Sequence, residues 1–371
     1  MRIEIWVCDA QYCSVLSVNQ GELRILWRAT VRWIFLMWNK PTRRGITLIE
    51  VVVVLGITSL LMGLLLPGIQ AARESARSHD CRHRMRQLAQ AAHAFHDTHG
   101  ALPAVSNSLV GRPAFPGMLS AWAQLLPFLD QTTLYQQIDL DPGELGLGIY
   151  ANPPSLTRPA NQRLLKTGLP TARCPSDAVP IPGCSYRACV SAGPAKHRFS
   201  GIGAWVNDRS LDGVRLAEIT DGFSQTAFIS ERIVGDFDGH VFTPAKDIYC
   251  YHPDLSAPFP YAPDDFAQLC RSRFSNPLPS EVSFSGATWL VNGLSFTHYN
   301  HTLAPNSEVP DCASEKVGMY SGAVSARSWH PNGVNVTFAD GHVSFIAETI
   351  DLKVWRAIAT RNGAESQQAP D

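Results

Sequence analysis

The chain has 371 residues, of which 45% are hydrophobic and only 17% charged, with a formal net charge of -1. That balance argues against a nucleic-acid-binding or polybasic membrane-surface role for the chain as a whole, both of which need a clustered positive excess. The length allows one large or two ordinary domains with ample core, and frequent Pro and Gly with sparse charge point to an ordered, loop-rich, β-containing chain rather than a disordered one.

Residues 1–40 include LRILWRATVRWIFLMW, where Arg24, Arg28 and Arg32 recur every four residues on one face of an amphipathic helix. Two readings stand: a membrane-surface segment, or a gene start placed too early, with translation beginning at Met37 and a short leader MWNKPTRRG. The second is favoured.

The chain is organised around Arg43 to Arg77, RRGITLIEVVVVLGITSLLMGLLLPGIQAARESAR. Its apolar run from Ile46 to Leu66 carries one charge, Glu50, and passes through Pro67 into a charged helical pattern. About 20 apolar residues at ~1.5 Å per residue span the ~30 Å core of a bilayer. The basic pair Arg43 and Arg44 just before the run places the N-terminal side in the cytoplasm and exports everything after Pro67. A lone carboxylate near the apolar core costs at least ~2.5 kcal/mol and calls for a partner. A secretory signal would need a small-residue cleavage site after its apolar region, whereas here a helix continues.

Basic residues, Gly45 and then Ile46-Thr47-Leu48-Ile49-Glu50 ahead of a long apolar helix resemble the type IV prepilin cleavage and methylation signature. The resemblance implies cleavage between Gly45 and Ile46 by a membrane prepilin peptidase and methylation of the new N-terminus, with Ile46 where the family more often has Phe or Met. Glu50 becomes the fifth mature residue, whose carboxylate in pilins pairs with the N-terminal amine of a neighbouring subunit. Low dielectric between packed helices favours such a pair over an isolated charge. Pro67 matches the family's proline after the membrane half of the helix.

Beyond Pro67, Ile69, Ala72, Ala76, Met85, Leu88, Ala92 and Phe95 fall near helical spacing, and Gly100 followed by Pro103 is a stop signal. The spacing predicts a helix of about fifty residues, ~80 Å if unbroken, whose second half lies against the globular domain. Its histidines are His79, His83, His93, His96 and His99. His93 and His96 at i, i+3, beside Asp97, could share a metal, but no third ligand follows from the spacing, so a helix-face or hydrogen-bonding role is preferred.

Residues 104–170 are turn-rich around AWAQLLPFLDQTTLYQQI, an amphipathic helix with Trp122, Leu125, Leu126, Leu129, Leu134 and Ile138 on its apolar side and Pro127 as a kink or break. DLDPGEL, with Asp139, Asp141 and Glu144, lacks the ligand spacing of a calcium hand. Seven cysteines follow the cut: Cys81, Cys174, Cys184, Cys189, Cys250, Cys270 and Cys312. In an oxidising compartment they read as disulfides, with an odd one left over. Cys81 with Cys174 would staple the helix to the domain, and Cys250 with Cys270 or with Cys312 is a second expectation; spacing alone does not settle pairing. A zinc site from Cys174, Cys184 and Cys189 lacks a tight C-x-x-C. No metal or cofactor is expected.

LDGVRLAEITDGFSQTAFISERIV, residues 211–234, gives a short helical piece, a D-G turn and an apolar strand. Ser224 lies in DGFSQ, outside any G-x-S-x-G, so no hydrolase pair is built on it. Residues 236–321, rich in Pro, Asp and aromatics, read as an insertion of long surface loops, with DFDGH, YHPDL and APDDF as weak cation-loop candidates. In SWHPNGVNVTFADGHVSFIAETID, two alternating strands flank Ala339-Asp340-Gly341, a hairpin over residues 330–346. His330 opens it, ten residues before Asp340, completing H-x9-D-G. His330 and Asp340 invite a reading as base and orienter; a turn for Asp340 and Gly341, with His330 packed at the strand entry, is simpler.

TLIE, H-D-T-H-G, C-P-S-D, ITDG before a strand and H-x9-D-G, in this order, resemble a bacterial prepilin-like family of unknown function with a C-terminal H-x9-D-G domain. The expected fold is α+β and type IV pilin-like, a long N-terminal membrane helix packed on an antiparallel sheet domain with long loop insertions. The parts are a leader over 1–45, a helix over 46–100 that is transmembrane over 46–66, an exported domain over 101–350 and a tail over 351–371. The expected role is structural and non-enzymatic: a pilin-like or pseudopilin-like subunit, single-pass in the inner membrane, with its domain in the periplasm or an extracellular filament. Its partners are prepilin peptidase, the membrane and like subunits or other pseudopilins, and no nucleic acid. The alternative is an anchored, exported ligand-binding module that never polymerises.

Overall fold

The structure, a computed structural model, describes residues 2–9, 12–19, 47–103, 119–139, 159–177, 182–194, 200–203, 205–207, 210–250, 262–274, 280–313 and 322–363. The chain divides into two units, Met1–Gly68 and Ile69–Asp371. In the first, β1 (Arg2–Asp9) pairs antiparallel with β2 (Tyr12–Asn19). The segment with Arg24, Arg28 and Arg32 lies outside the described residues.

Helix α1 runs Leu48–His99 with Pro67 inside it. Residues 48–66 are exposed throughout and are long and apolar enough to cross a membrane. Further along, Cys81, Met85, Leu88, Ala89, Ala92 and Phe95 are buried at spacings of three and four, the stripe that a helix lays against a core. Ile69, Ala72 and Ala76, expected on that stripe, are exposed, so continuous burial begins only at Cys81. Gly100 ends the helix at φ +77, donating its N–H to the His96 carbonyl at 2.7 Å, the left-handed terminus that glycine adopts without a Cβ clash.

The AWAQLL segment is broken where Pro127 stands. Helix α2 (Ala121–Leu125) passes into a 3-10 turn over Leu126–Leu129, Asp130 takes a left-handed φ of 58°, and α3 (Thr132–Tyr135) restarts the chain. Helix α4 (Pro159–Leu164) follows, and a 3-10 turn over Pro170–Ala172 leads to Cys174.

The main sheet contains β3 (Tyr186–Ser191), β6 (Ala227–Glu231), β9 (His298–Asn300), β12 (Gly333–Phe338) and β13 (Val343–Ala347), in the order β13-β12-β6-β3-β9. It is antiparallel except at its edge, where β9 pairs parallel to β3 after a long connection. Between β3 and β6, β4 (Trp205–Asn207) pairs with β5 (Ser210–Gly213). Val334, Val336, Phe338 and Ile346 of the sheet join Met85, Leu88 and Phe95 of α1 in one buried cluster. The domain therefore forms around the helix.

Residues 236–321, expected as loops, contribute a second sheet. It comprises β7 (Ile248–Cys250), β8 (Ser280–Val282) and β10 (Cys312–Ala313), joined by β11 (Gly322–Ala323) in the order β11-β10-β7-β8. Helix α5 (Pro263–Phe274) covers it, with Tyr249, Phe266, Leu303 and Val309 in a satellite core. Residues assigned to a tail include α6 (Leu352–Ala357), whose Trp355 is fully buried.

Candidate functional site

Four separate segments meet at one point on α1. Cys81 is disulfide-bonded to Cys174, with Cα atoms 5.1 Å apart, so the helix is covalently tied to the C-P-S-D loop. About two turns earlier on the same helix, Glu74 Oε1 lies 2.7 Å from His330 Nδ1. The other ring nitrogen of His330 lies 3.3 Å from Glu231 Oε1 at the end of β6 and 3.6 Å from the Cys174 sulfur. Ser176 donates to Glu74 Oε1 at 3.2 Å, and Arg84 donates to the carbonyls of Pro170 and Arg173 at 2.9 Å each, fixing the loop that carries Cys174.

The electrostatics follow from this enclosure. Burial alone would lower the His330 pKa, but hydrogen bonds and attraction to Glu231 and Glu74 outweigh it and the pKa is raised. With a carboxylate at each ring nitrogen, the imidazolium is the form that donates to both. Burial works to raise the Glu74 pKa, and its bonds to Arg77 and His330 more than offset that, leaving it lowered. Glu231 also accepts from the Asn335 backbone N–H at 2.9 Å and from Asn335 Nδ2 at 3.1 Å, which anchors it to β12.

His330 and Asp340 do different work. Asp340 Oδ1 accepts from the His342 backbone N–H at 3.0 Å and lies 2.6 Å from His342 Nδ1. The Gly341 N–H donates to the Phe338 carbonyl at 2.9 Å and the Phe338 N–H to that of His342 at 3.0 Å. With Gly341 at φ +87, this is a three-residue hairpin loop with a left-handed glycine. The Asp340 N–H donates to the Phe223 carbonyl at 3.2 Å, joining the tip to the ITDG turn, where Ser224 is exposed.

A second buried network lies beyond Glu231. Asp311 accepts from Arg232 Nε at 2.8 Å, Arg327 Nη2 at 3.1 Å and Ser325 Oγ at 2.7 Å. Burial pushes its pKa up, but the two guanidiniums prevail and hold it below the usual carboxylate range.

At the other end of α1, Glu50 Oε2 accepts from the Thr47 backbone N–H at 2.8 Å and from its hydroxyl at 2.9 Å, a reciprocal cap on the helix start. Arg43, Arg44, Gly45 and Ile46 lie outside the described residues.

The second disulfide corrects the sequence expectation. Cys270 is bonded to Cys312, Cα atoms 5.8 Å apart, so neither is the partner of Cys250. The register explains it: Cys250 sits opposite Ala313 on the β7–β10 ladder, while α5 brings Cys270 over Cys312. Cys184 and Cys189 are buried free thiols. His99 stacks on Phe95 with ring centroids 4.0 Å apart. Among the described residues, neither His93 nor His96 belongs to a group with metal-ligand geometry. Of the DLDPGEL acids only Asp139 is described, and its N–H donates to Asn161 Oδ1 at 2.9 Å. In DFDGH, Asp236 accepts from the Asp238 N–H and from Thr243 Oγ1, a turn closed by its own chain. YHPDL lies outside the described residues, and APDDF opens α5.

The family model described as "Protein of unknown function (DUF1559)" matches residues 70–353, well over half of the chain. The chain belongs to this family. It is the prepilin-like family with the H-x9-D-G domain whose sequence blocks converge on α1. The prokaryotic N-terminal methylation motif matches residues 40–66, marking a pilin-like chain that is processed by prepilin peptidase and anchored by a single membrane helix. No curated protein and no solved structure matches the chain.

Glu74 and Glu231, the two carboxylates that hold His330, were not singled out by sequence. The available signal was a Glu at the end of the apolar strand TAFISE and another in AARESAR.

Proposed function

We propose that this family member is a type IV pilin-like or pseudopilin-like structural subunit and not an enzyme. The carrying observation is the methylation motif over residues 40–66 running into a helix whose apolar residues 48–66 are exposed. In the assembled state those half-helices pack together in a filament core, in a pilus or a type II secretion-like machine. Glu50 exchanges its local Thr47 bonds for the Ile46 amine of a neighbour, which supplies opposite charge in low dielectric. Arg43 and Arg44 orient the leader to the cytoplasm, so the domain from Ile69 onward is exported.

Intact mass and N-terminal sequencing of the protein from its native membrane test the processing, with methyl-Ile46 expected as first residue; a chain retaining residues before Gly45 overturns it. Glu50→Ala is expected to insert and be processed yet be excluded from filaments. Normal incorporation would sink the assembly role, and a wild-type chain that stays monomeric would identify an anchored, non-polymerising module instead.

A further inference from the structure

The sulfurs of Cys81 and Cys174, a ring nitrogen of His330 and a carboxylate oxygen of Glu231 all lie within 4.8 Å of one another, and all four residues are buried. They come from the middle of α1, the loop after Ala172, the end of β6 and the approach to β12, so the folded domain encloses the set on every side. We infer that the chain binds one Zn2+ here when the Cys81–Cys174 bond is reduced, through two thiolates, His330 Nε2 and Glu231.

The donor set carries the identification. Two soft thiolates with an imidazole and a carboxylate suit zinc rather than a hard cation such as calcium or magnesium. Closed sites of four protein ligands are structural, with Zn–S of ~2.3 Å and Zn–N and Zn–O of ~2.0–2.2 Å. Those lengths put tetrahedral donors roughly 3.3–3.8 Å apart, so the cluster needs to contract by about 1.5 Å at most while the two sulfurs separate. The outer contacts already have the form that metal sites use. His330 coordinates through Nε2 while its Nδ1 faces Glu74 at 2.7 Å, a carboxylate–histidine–metal line. Glu231 keeps its Asn335 backbone contact through Oε2, leaving Oε1 toward the ion.

The conversion balances. A dithiol reductant supplies two electrons and two protons, the S–S bond breaks, two thiols form and the reductant leaves as its own disulfide. Zinc then displaces both thiol protons and the proton on His330 Nε2 to solvent, joining the helix to the domain by coordination where the oxidised chain joins it covalently.

The test uses the full chain in detergent, reduced anaerobically with a dithiol, freed of reductant and titrated with Co2+ and then Zn2+. One equivalent of Co2+ should give tetrahedral d–d bands and a thiolate charge-transfer band, both erased by Zn2+ and absent from the oxidised chain. X-ray absorption of the reduced zinc form should show two sulfur and two N/O neighbours, a readout needing no variant. Cys81→Ser with Cys174→Ser should abolish the bands, Cys270→Ser with Cys312→Ser should keep them, and Glu74→Gln should weaken affinity by about 10–100-fold. A three- or four-sulfur shell, bands that survive loss of Cys81 and Cys174, bands in the oxidised chain, or no stoichiometric binding would each overturn the assignment.

Discussion

Replacing Cys81 and Cys174 together by Ala releases the helix from the C-P-S-D loop. The bond closes a loop with a sequence separation of 93. Constraining a denatured loop of that size is worth about 4.6 kcal/mol at 25 °C from the chain-entropy relation. The Cys270–Cys312 loop, with a separation of 42, comes to about 4 kcal/mol by the same relation. Global cost alone barely separates the two, but location does. Cys81 lies in the main core with Met85 and Leu88, whereas Cys270 lies in the satellite core with Tyr249 and Phe266. Against a typical total of ~5–15 kcal/mol, either loss is large. Equilibrium urea unfolding of the oxidised full chain in detergent, followed by tryptophan fluorescence, measures the cost, and amide hydrogen exchange locates it. The expected result is loss of protection over residues 78–95 of α1 for the Cys81/Cys174 variant and over α5 and β10 for the Cys270/Cys312 variant. A Cys81/Cys174 cost below about 1 kcal/mol, or unchanged protection of α1, would refute the view that this bond secures the helix.

Two ion pairs of equal length should differ sharply in worth. Asp311→Ala strands the fully buried Arg232 and is expected to cost about 3–5 kcal/mol, whereas Asp264→Ala, which breaks a 2.8 Å pair whose carboxylate is 80% exposed, should cost under about 1 kcal/mol in the same urea assay. Acid should destabilise the chain well above the carboxylate range. Burial, with repulsion from Arg187, lowers the His298 pKa to about 3, and burial of His301 against Trp355 also lowers it to about 3. Both folded values lie below the ordinary 6.5, so their stability is intact above pH 6.5 and is lost as pH falls toward 3. At up to about 1.4 kcal/mol per unit for each group, with half that slope at pH 6.5, the drop from pH 6.5 to 5 is about 3 kcal/mol. His330, whose pKa is raised, acts in the opposite sense: its contribution is fully present below the ordinary 6.5 and is lost as pH rises. Urea midpoints unchanged between pH 6.5 and 5 would contradict the burial of both rings.

Much of the frame was legible in the sequence because its signals are local. The apolar run before Pro67, the stripe through Met85, Leu88 and Phe95, the stop at Gly100 and the alternation on either side of Asp340-Gly341 each depend on neighbours a few residues apart, and α1 and the β12–β13 hairpin form there. What was illegible is non-local. Strand β9 has three residues, too few for an alternating pattern, and its place beside β3 is set by the closing of the core around Tyr299. Seven cysteines do not choose their partners by spacing, and only the crossing of α5 over β10 selects Cys312 for Cys270. Glu74 and Glu231 resembled surface carboxylates until the fold put His330 between them.

That convergence accounts for the spacing of the H-x9-D-G motif. His330 at one end is held by Glu74 of α1, and at the other end a Cβ on Gly341 would stand 3.8 Å from the Ala89 methyl of the same helix. The two helix positions are about 22 Å apart at ~1.5 Å per residue, and β12 spans the interval with Val334, Val336 and Phe338 buried in the cluster that contains Met85 and Leu88. A histidine sits at the base because a charge must be shared between helix and sheet. A glycine sits at the tip because the chain reverses there at positive φ while passing close to the helix. The motif is therefore a measure of how far one strand runs along the helix. Its histidine and aspartate form no pair because the strand between them keeps their side chains on separate partners, Glu74 and Glu231 for one and His342 for the other.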